Sequence, residues 1–259
     1  MTARPTKSPA RKPVARLSLA EVMSILEQSG SEQTRKTYTR HGALGPMFGV
    51  SFATLKVMYK RIKVDHELAL ALWDTGNLDA RNLAVKIVDP LLLTASELDS
   101  WAAVYTPRPC GGYVANVAQE GPHAQSRSDA WLASADQTLR TTGWALVSVR
   151  AMRDESTSDA WFAARLEAIE RTLQAAPNRE REAMLHALIA IGCRSPALRA
   201  SVSAASTRIG PVYIDQGDTA CGTPEVLPTL EKTWTHAAAK GFVSPAAQER
   251  SREFARLRC

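Results

Sequence analysis

Between Ser18 and Ala239 apolar residues recur at helical spacing, and no segment alternates at the two-residue period of a strand over strand length. That confines the chain to an all-α fold. The punctuation agrees with the periodicity. Ser18-Leu19-Ala20-Glu21 and Thr94-Ala95-Ser96-Glu97 read as capping boxes, in which a hydroxyl and a carboxylate three residues on satisfy each other's backbone N–H groups. Ser31 and Ser51 open two more helices, and Pro90 closes another that begins at Leu78. From Asn178 to Gly192 a polar start leads into Met184, Leu185, Leu188, Ile189 and Ile191 before a glycine stop. The cluster Asp215-Gln216-Gly217-Asp218-Thr219-Ala220-Cys221-Gly222-Thr223-Pro224 cannot continue a helix. Thr223-Pro224-Glu225 predicts an N-cap, a proline at the first helical position and an acid in the first turn.

The helices fall in pairs near residues 18–42, 51–73, 78–104, 113–153, 158–192 and 196–239, a period of about 40 residues. A helix pair of that length leaves one face unburied until its neighbours stack on it, so the expected body is a helical-repeat solenoid with a concave face. One such domain is expected over residues 17–259. Residues 1–16 differ in kind: Arg4, Lys7, Arg11, Lys12 and Arg16 stand among three prolines with no acid, which predicts a disordered basic arm drawn to polyanions.

Charge and cysteine usage narrow the function. The chain carries a net +6 and has no apolar run of the roughly 20 residues a membrane span needs. A soluble, monomeric, cytoplasmic and nucleoid-associated protein is expected. Cys110, Cys193, Cys221 and Cys259 share no metal-type spacing and read as free thiols. Asp215, Cys221 and His236 are possible ligands at no standard zinc spacing, against a loop in which Asp215 and Thr219 bond their own backbone. With no phosphate loop, dinucleotide fingerprint or nucleophile motif, no metal and no organic cofactor is expected. Lys56, Lys60, Arg61 and Lys63 give the helix after Ser51 a basic side. Lys56, Lys60, Lys86, Arg179 and Arg208 are candidate phosphate contacts. Arg181 and His186 lie off the apolar line of their helix, toward a groove. Trp131 and Trp144 read as packing residues.

Several segments together carry a resemblance. They are Gly49-Val50 leading into Leu55-Lys56, Trp73 with Asp79-Ala80-Arg81-Asn82-Leu83-Ala84, and Trp131 followed by Arg140-Thr141-Thr142-Gly143-Trp144. Further on come Ala183-Met184 with Ala187-Leu188-Ile189-Ala190-Ile191-Gly192, then Ile209-Gly210 with Val212, Asp215, Gly217, Thr219, Cys221 and Thr223-Pro224. In order and spacing, over roughly residues 30 to 240, the chain resembles the DNA alkylation repair (AlkD-like) family. The resemblance implies a HEAT-like solenoid binding duplex DNA in a basic concave groove. It also implies a cofactor-free glycosylase that removes N3- and N7-alkylated purines. Arg140 matches an arginine that the family places at the DNA backbone.

The chemistry of that family depends on side chains this chain replaces. Glycosidic cleavage develops positive charge on the sugar, which a carboxylate stabilises, and aromatic faces hold the cationic base. The matching positions are Gly112, Asn116 and His186. Asn116 and His186 are therefore the candidate catalytic residues, and a shifted alignment brings in Tyr113, Glu120 or Asp129. Two expectations follow: a DNA-binding alkylation-repair protein with or without glycosylase activity, or an inactive helical scaffold for DNA or protein.

Overall fold

A computed structural model describes residues 16–104, 110–219 and 221–258, so all of the basic arm but Arg16 lies outside it, as do Cys259 and the Cys110 side chain. The first seven helices are α1 (Leu19–Gln28), α2 (Glu32–Arg40), α3 (Phe52–Ile62), α4 (His66–Asp74), α5 (Leu78–Ile87), α6 (Ala95–Ala102) and α7 (Cys110–Glu120). Seven more follow: α8 (Ala124–Leu132), α9 (Gln137–Arg153), α10 (Asp159–Thr172), α11 (Asn178–Gly192), α12 (Pro196–Ile209), α13 (Val226–Ala239) and α14 (Pro245–Arg250). Among the described residues there is no strand, only an isolated bridge between Gly30 and Val50.

Both expected capping boxes form, at Ser18–Glu21 and Thr94–Glu97. Thr223 does not cap α13. Its hydroxyl instead accepts from Ile214 N (2.9 Å), which ties the two ends of the polar loop together, and the helix starts at Val226 without a side-chain cap. The expected pair over 113–153 is three helices, because the chain breaks twice, after Glu120 and after Leu132.

α5, α7, α9, α11 and α13 pack in succession as one row, and α4, α6, α8, α10 and α12 back them. α9 joins two apolar cores. Its Leu146 belongs to the first, built from α1 through α8, while its Trp144, Val147 and Ala151 belong to the second, built from α10 through α13. Gly143 lets α9 approach α8 closely, since a Cβ there would stand 3.1 Å from Leu132 N.

Three polar devices set the geometry. Asp79, fully buried on α5, accepts from the backbone N–H groups of Phe48 (2.6 Å), Gly49 (2.9 Å) and Val50 (2.9 Å). That turn holds α2 through Ser31 N to Gly49 O and through Tyr38 Oη to Val50 O (2.6 Å). Gly49 has φ 81° and its Cβ position lies 2.5 Å from Ser31 O, so only glycine fits. Arg150, at 2% exposure, donates to Gln125, Ser128, Asp154 and Thr157 and lies over Trp161. The third device is the C-terminal tail. Arg256 bonds Glu120 of α7 (2.7 and 2.6 Å) and the carbonyls of Val85 and Lys86 at the end of α5, a favourable place for a cation. Arg153 of α9 holds the same tail through Glu249 and Arg252 O, with Phe254 under its guanidinium.

Asp79→Ala strands three N–H groups, two of them in buried bonds, and should lower unfolding free energy by about 3 kcal/mol or more, read by urea denaturation. Burial pushes the Asp154 carboxyl up, but hydrogen bonds from Ser156 and Thr157 and the Arg150 charge outweigh it and hold it at about 2, from 3.8. A depressed carboxylate contributes stability above its unfolded pKa and loses it as pH falls through the folded one. Up to about 2 kcal/mol should therefore disappear between about pH 4 and pH 2. The slope in that window should be shallower for Asp154→Asn than for wild type.

Candidate nucleic-acid interface

α7, α9 and α11 lie side by side and carry the positions singled out from sequence. Asn116 is 6% exposed, and its Nδ2 donates to Gly112 O on its own helix (2.8 Å). Its amide thus serves the backbone of α7. Gly112 is exposed, with nothing within 4 Å of where a Cβ would stand. His186 is half-buried on α11, two turns beyond Arg179. The alternatives are committed elsewhere. The Tyr113 ring lies 4.5 Å from Lys86 Nζ, Glu120 binds Arg256, and Asp129 binds Arg165 and Gln125.

Two predicted phosphate ligands require correction. Lys86 is 1% exposed: its ammonium donates to Arg256 O and sits against Tyr113 and Phe52, so no phosphate can reach it. Arg208 is exposed but pairs through two nitrogens with Glu170 across α10 and α12, in the backing layer and not in the row.

Arg140 is built as a clamp. Its Nε and Nη2 bind the two Glu180 oxygens (2.9 Å each), joining α9 to α11, while Nη1 binds the carbonyls of Ser134 (3.0 Å) and Ala135 (2.8 Å). The hydrogen bonds and charge of Glu180 raise its pKa above the ordinary arginine value. Arg181 is likewise spent on the carbonyls of Ala176 and Tyr213.

What the fold brings together is a cleft of about 500 Å³ between the end of α2 and the start of α11. Thr39, Arg40, His41 and Gly42, at the end of α2, face Arg179 and Glu182 of α11 and the loop Gln216–Thr219. The loop is held in place by a reciprocal pair, Asn178 Nδ2 to Asp215 O and Asp215 N to Asn178 Oδ1 (both 2.8 Å). Asp215 and Thr219 also bond their own loop, at Gly217 N and Gln216 O. Among the described residues no group of three or more His, Cys, Asp or Glu is placed to hold a metal. Cys193 and Cys221 are free thiols. No helix, among the described residues, is long and apolar enough to cross a membrane. Sequence reasoning missed Arg40, His41 and Gln216 as cleft residues. The local signal is slight: His41 and Gln216 each precede a glycine, and Arg40 ends a helix.

The family model for a DNA alkylation repair enzyme matches residues 22–202. Uncharacterized proteins of Listeria monocytogenes and Listeria innocua are each 24% identical, over 80% of this chain and 93% of theirs. A solved structure with a TM-score of 0.77 and 27% identity covers 88% of this chain and 96% of its own. It represents a family of proteins related to the HEAT-like repeat DNA glycosylases with affinity for branched DNA structures. The present fold is accordingly a HEAT-like helical repeat.

Removing the Arg140 guanidinium leaves Glu180, which is 7% exposed, without its charged partner. Arg140→Ala should therefore cost about 2–3 kcal/mol of stability. DNA affinity measured well below the unfolding transition should change less than twofold, the mark of a structural clamp.

Proposed function

The chain belongs to the DNA alkylation repair enzyme family, and we propose that it binds branched DNA and does not excise bases. The observation that carries this reading is the state of Asn116. At the position where the family pattern puts a carboxylate, an uncharged amide is buried against its own helix. Cleaving the glycosidic bond of an alkylated purine builds up positive charge on the sugar, and a neutral amide whose N–H is already donated offers no compensating charge. The missing ring at Gly112 removes a stacking face for the cationic base. His186, half-buried on α11, replaces neither group.

DNA binding needs less than catalysis does. Arg40 and His41 at the cleft, with the exposed Lys60 on α3, supply positive charge that a phosphate backbone can follow. We assign this cleft, which Arg40 and His41 line, to the mouth of a DNA branch, where strands separate. The solved relative's affinity for branched DNA supports the same assignment.

The test is single-turnover release of 7-methylguanine and 3-methyladenine from alkylated duplex, run beside binding of a four-way junction and a linear duplex of equal length. The expected result is no release above the uncatalysed rate and junction binding at least about tenfold tighter, weakening steeply from about 50 to 200 mM salt. Base release that Asn116→Ala abolishes would overturn the loss of catalysis. Failure to bind either DNA would overturn the whole reading.

A further inference from the structure

The positive charge of this protein is not spread along the row of helices. From Gln33 to Val64 there are seven Lys and Arg and no Asp or Glu. Residues 1–16 add five more cations. Against a total of +6, the rest of the chain is net negative. The cations of the inner helices are also largely neutralised internally: Arg140 by Glu180, Arg150 by Asp154, Arg179 by Glu182 and Arg256 by Glu120. On α2 and α3 the neighbouring acids account for only part of the charge. Glu32 takes Arg35, and Glu21 of α1 lies near Arg61. Lys36, Arg40, Lys60 and Lys63 are exposed.

These charges form a surface. Lys36 and Arg40 are one turn apart on α2, and Lys56, Lys60 and Lys63 follow at i, i+4 and i+7 along α3. The two helices are joined where Tyr38 packs on Phe52, ring centroids 6.1 Å apart. α2 buries no residue of its own, so one whole side is open to a partner. Arg40 places the α2 end of this surface at the cleft.

A second observation points to the same surface. Lys63 ends α3 at φ 65°, ψ −127°, a conformation that belongs almost entirely to glycine, and it is the only non-glycine at positive φ among the described residues. A glycine would end the helix without strain. The chain keeps a lysine there, which adds a cation to the line of Lys56 and Lys60.

We propose that the α2–α3 ridge is a second phosphate-binding surface that holds one duplex arm of a branched DNA while the cleft holds the branch point. The ridge is then the determinant of preference for branched over linear DNA, because only a branch offers a second arm to it. The inference rests on the DNA-binding reading above and specifies where the branch is recognised.

The experiment compares wild type with Lys36→Gln/Lys60→Gln/Lys63→Gly, on a four-way junction and a linear duplex of equal length across a salt series. The variant should lose about tenfold or more on the junction, and its slope against log salt should fall by about two to three charges. Its loss on linear duplex should be threefold or less, so the junction preference narrows by about threefold or more. Lys63→Gly alone should raise the thermal midpoint by about 2–4 °C while weakening junction binding, which separates a functional loss from a folding defect. Equal losses on both DNAs, or no loss on the junction, would overturn the ridge as an arm-binding surface and leave the DNA-binding reading standing. Absence of wild-type binding to either DNA would instead remove that reading, and the ridge with it.

Discussion

The arrangement of the N-terminal third depends on one buried carboxylate. Asp79 collects three consecutive backbone N–H groups of the turn Phe48–Val50. Without it those donors would lie at the edge of the core with no acceptor, which is costlier than the bonds are favourable. Because the same turn holds Ser31 N and Tyr38 Oη, Asp79 also places α2, which has no apolar face to place itself. An amphipathic helix is positioned by what it buries. This one is positioned by hydrogen bonds at its ends and by the single ring of Tyr38, and its charged sides stay in water.

The distribution of ion pairs follows a comparable logic. Along α7, α9 and α11 the guanidinium groups join helices to each other and to the tail, with Arg140 binding α11 and Arg256 closing α5 onto α7. Such groups sit in partly buried positions where an unpaired charge would be expensive. They therefore stiffen the row and contribute little net potential to it. Asn116 fits that division, since its amide is buried and bonded to its own helix and adds no charge to the inner surface. On α2 and α3, Lys36, Arg40, Lys60 and Lys63 stand exposed, where solvent bears the cost of their charge.

Much of the fold was legible because local rules and tertiary packing agree. The capping boxes at Ser18 and Thr94, the stop at Gly192 and the apolar line through Met184 and Leu188 each describe one helix, and each helix formed. The frame of the repeat was less legible. Gly121 and the Ser134–Asp136 turn divide 113–153 into three helices, and nothing in a 3.6-residue period says which neighbour a helix will face. Site residues were the least legible. Lys86 and Arg140 look like surface cations in sequence, and their burial comes from a carbonyl and a carboxylate 170 and 40 residues away. The tail that holds Lys86 has no apolar periodicity of its own. It packs through arginines, which read as solvent-facing until their partners are in place.

Stability and function pull in opposite directions at the N-terminal helices. Two features leave them less settled than they could be: α2 has no buried residue, and α3 ends on a strained Lys63 where a glycine would relax. Elsewhere the same chain uses glycine freely at positive φ, at Gly42, Gly49, Gly76 and Gly210 among others. Position 63 is thus an exception within its own sequence. A lysine held in a glycine conformation costs the fold local stability. Among the forces available at an exposed basic helix end, attraction to a polyanion is the one that a lysine supplies and a glycine does not. By that argument the ridge is a place where the fold gives up local stability to keep charge, and the turn fixed by Asp79 is what lets it do so without losing its position.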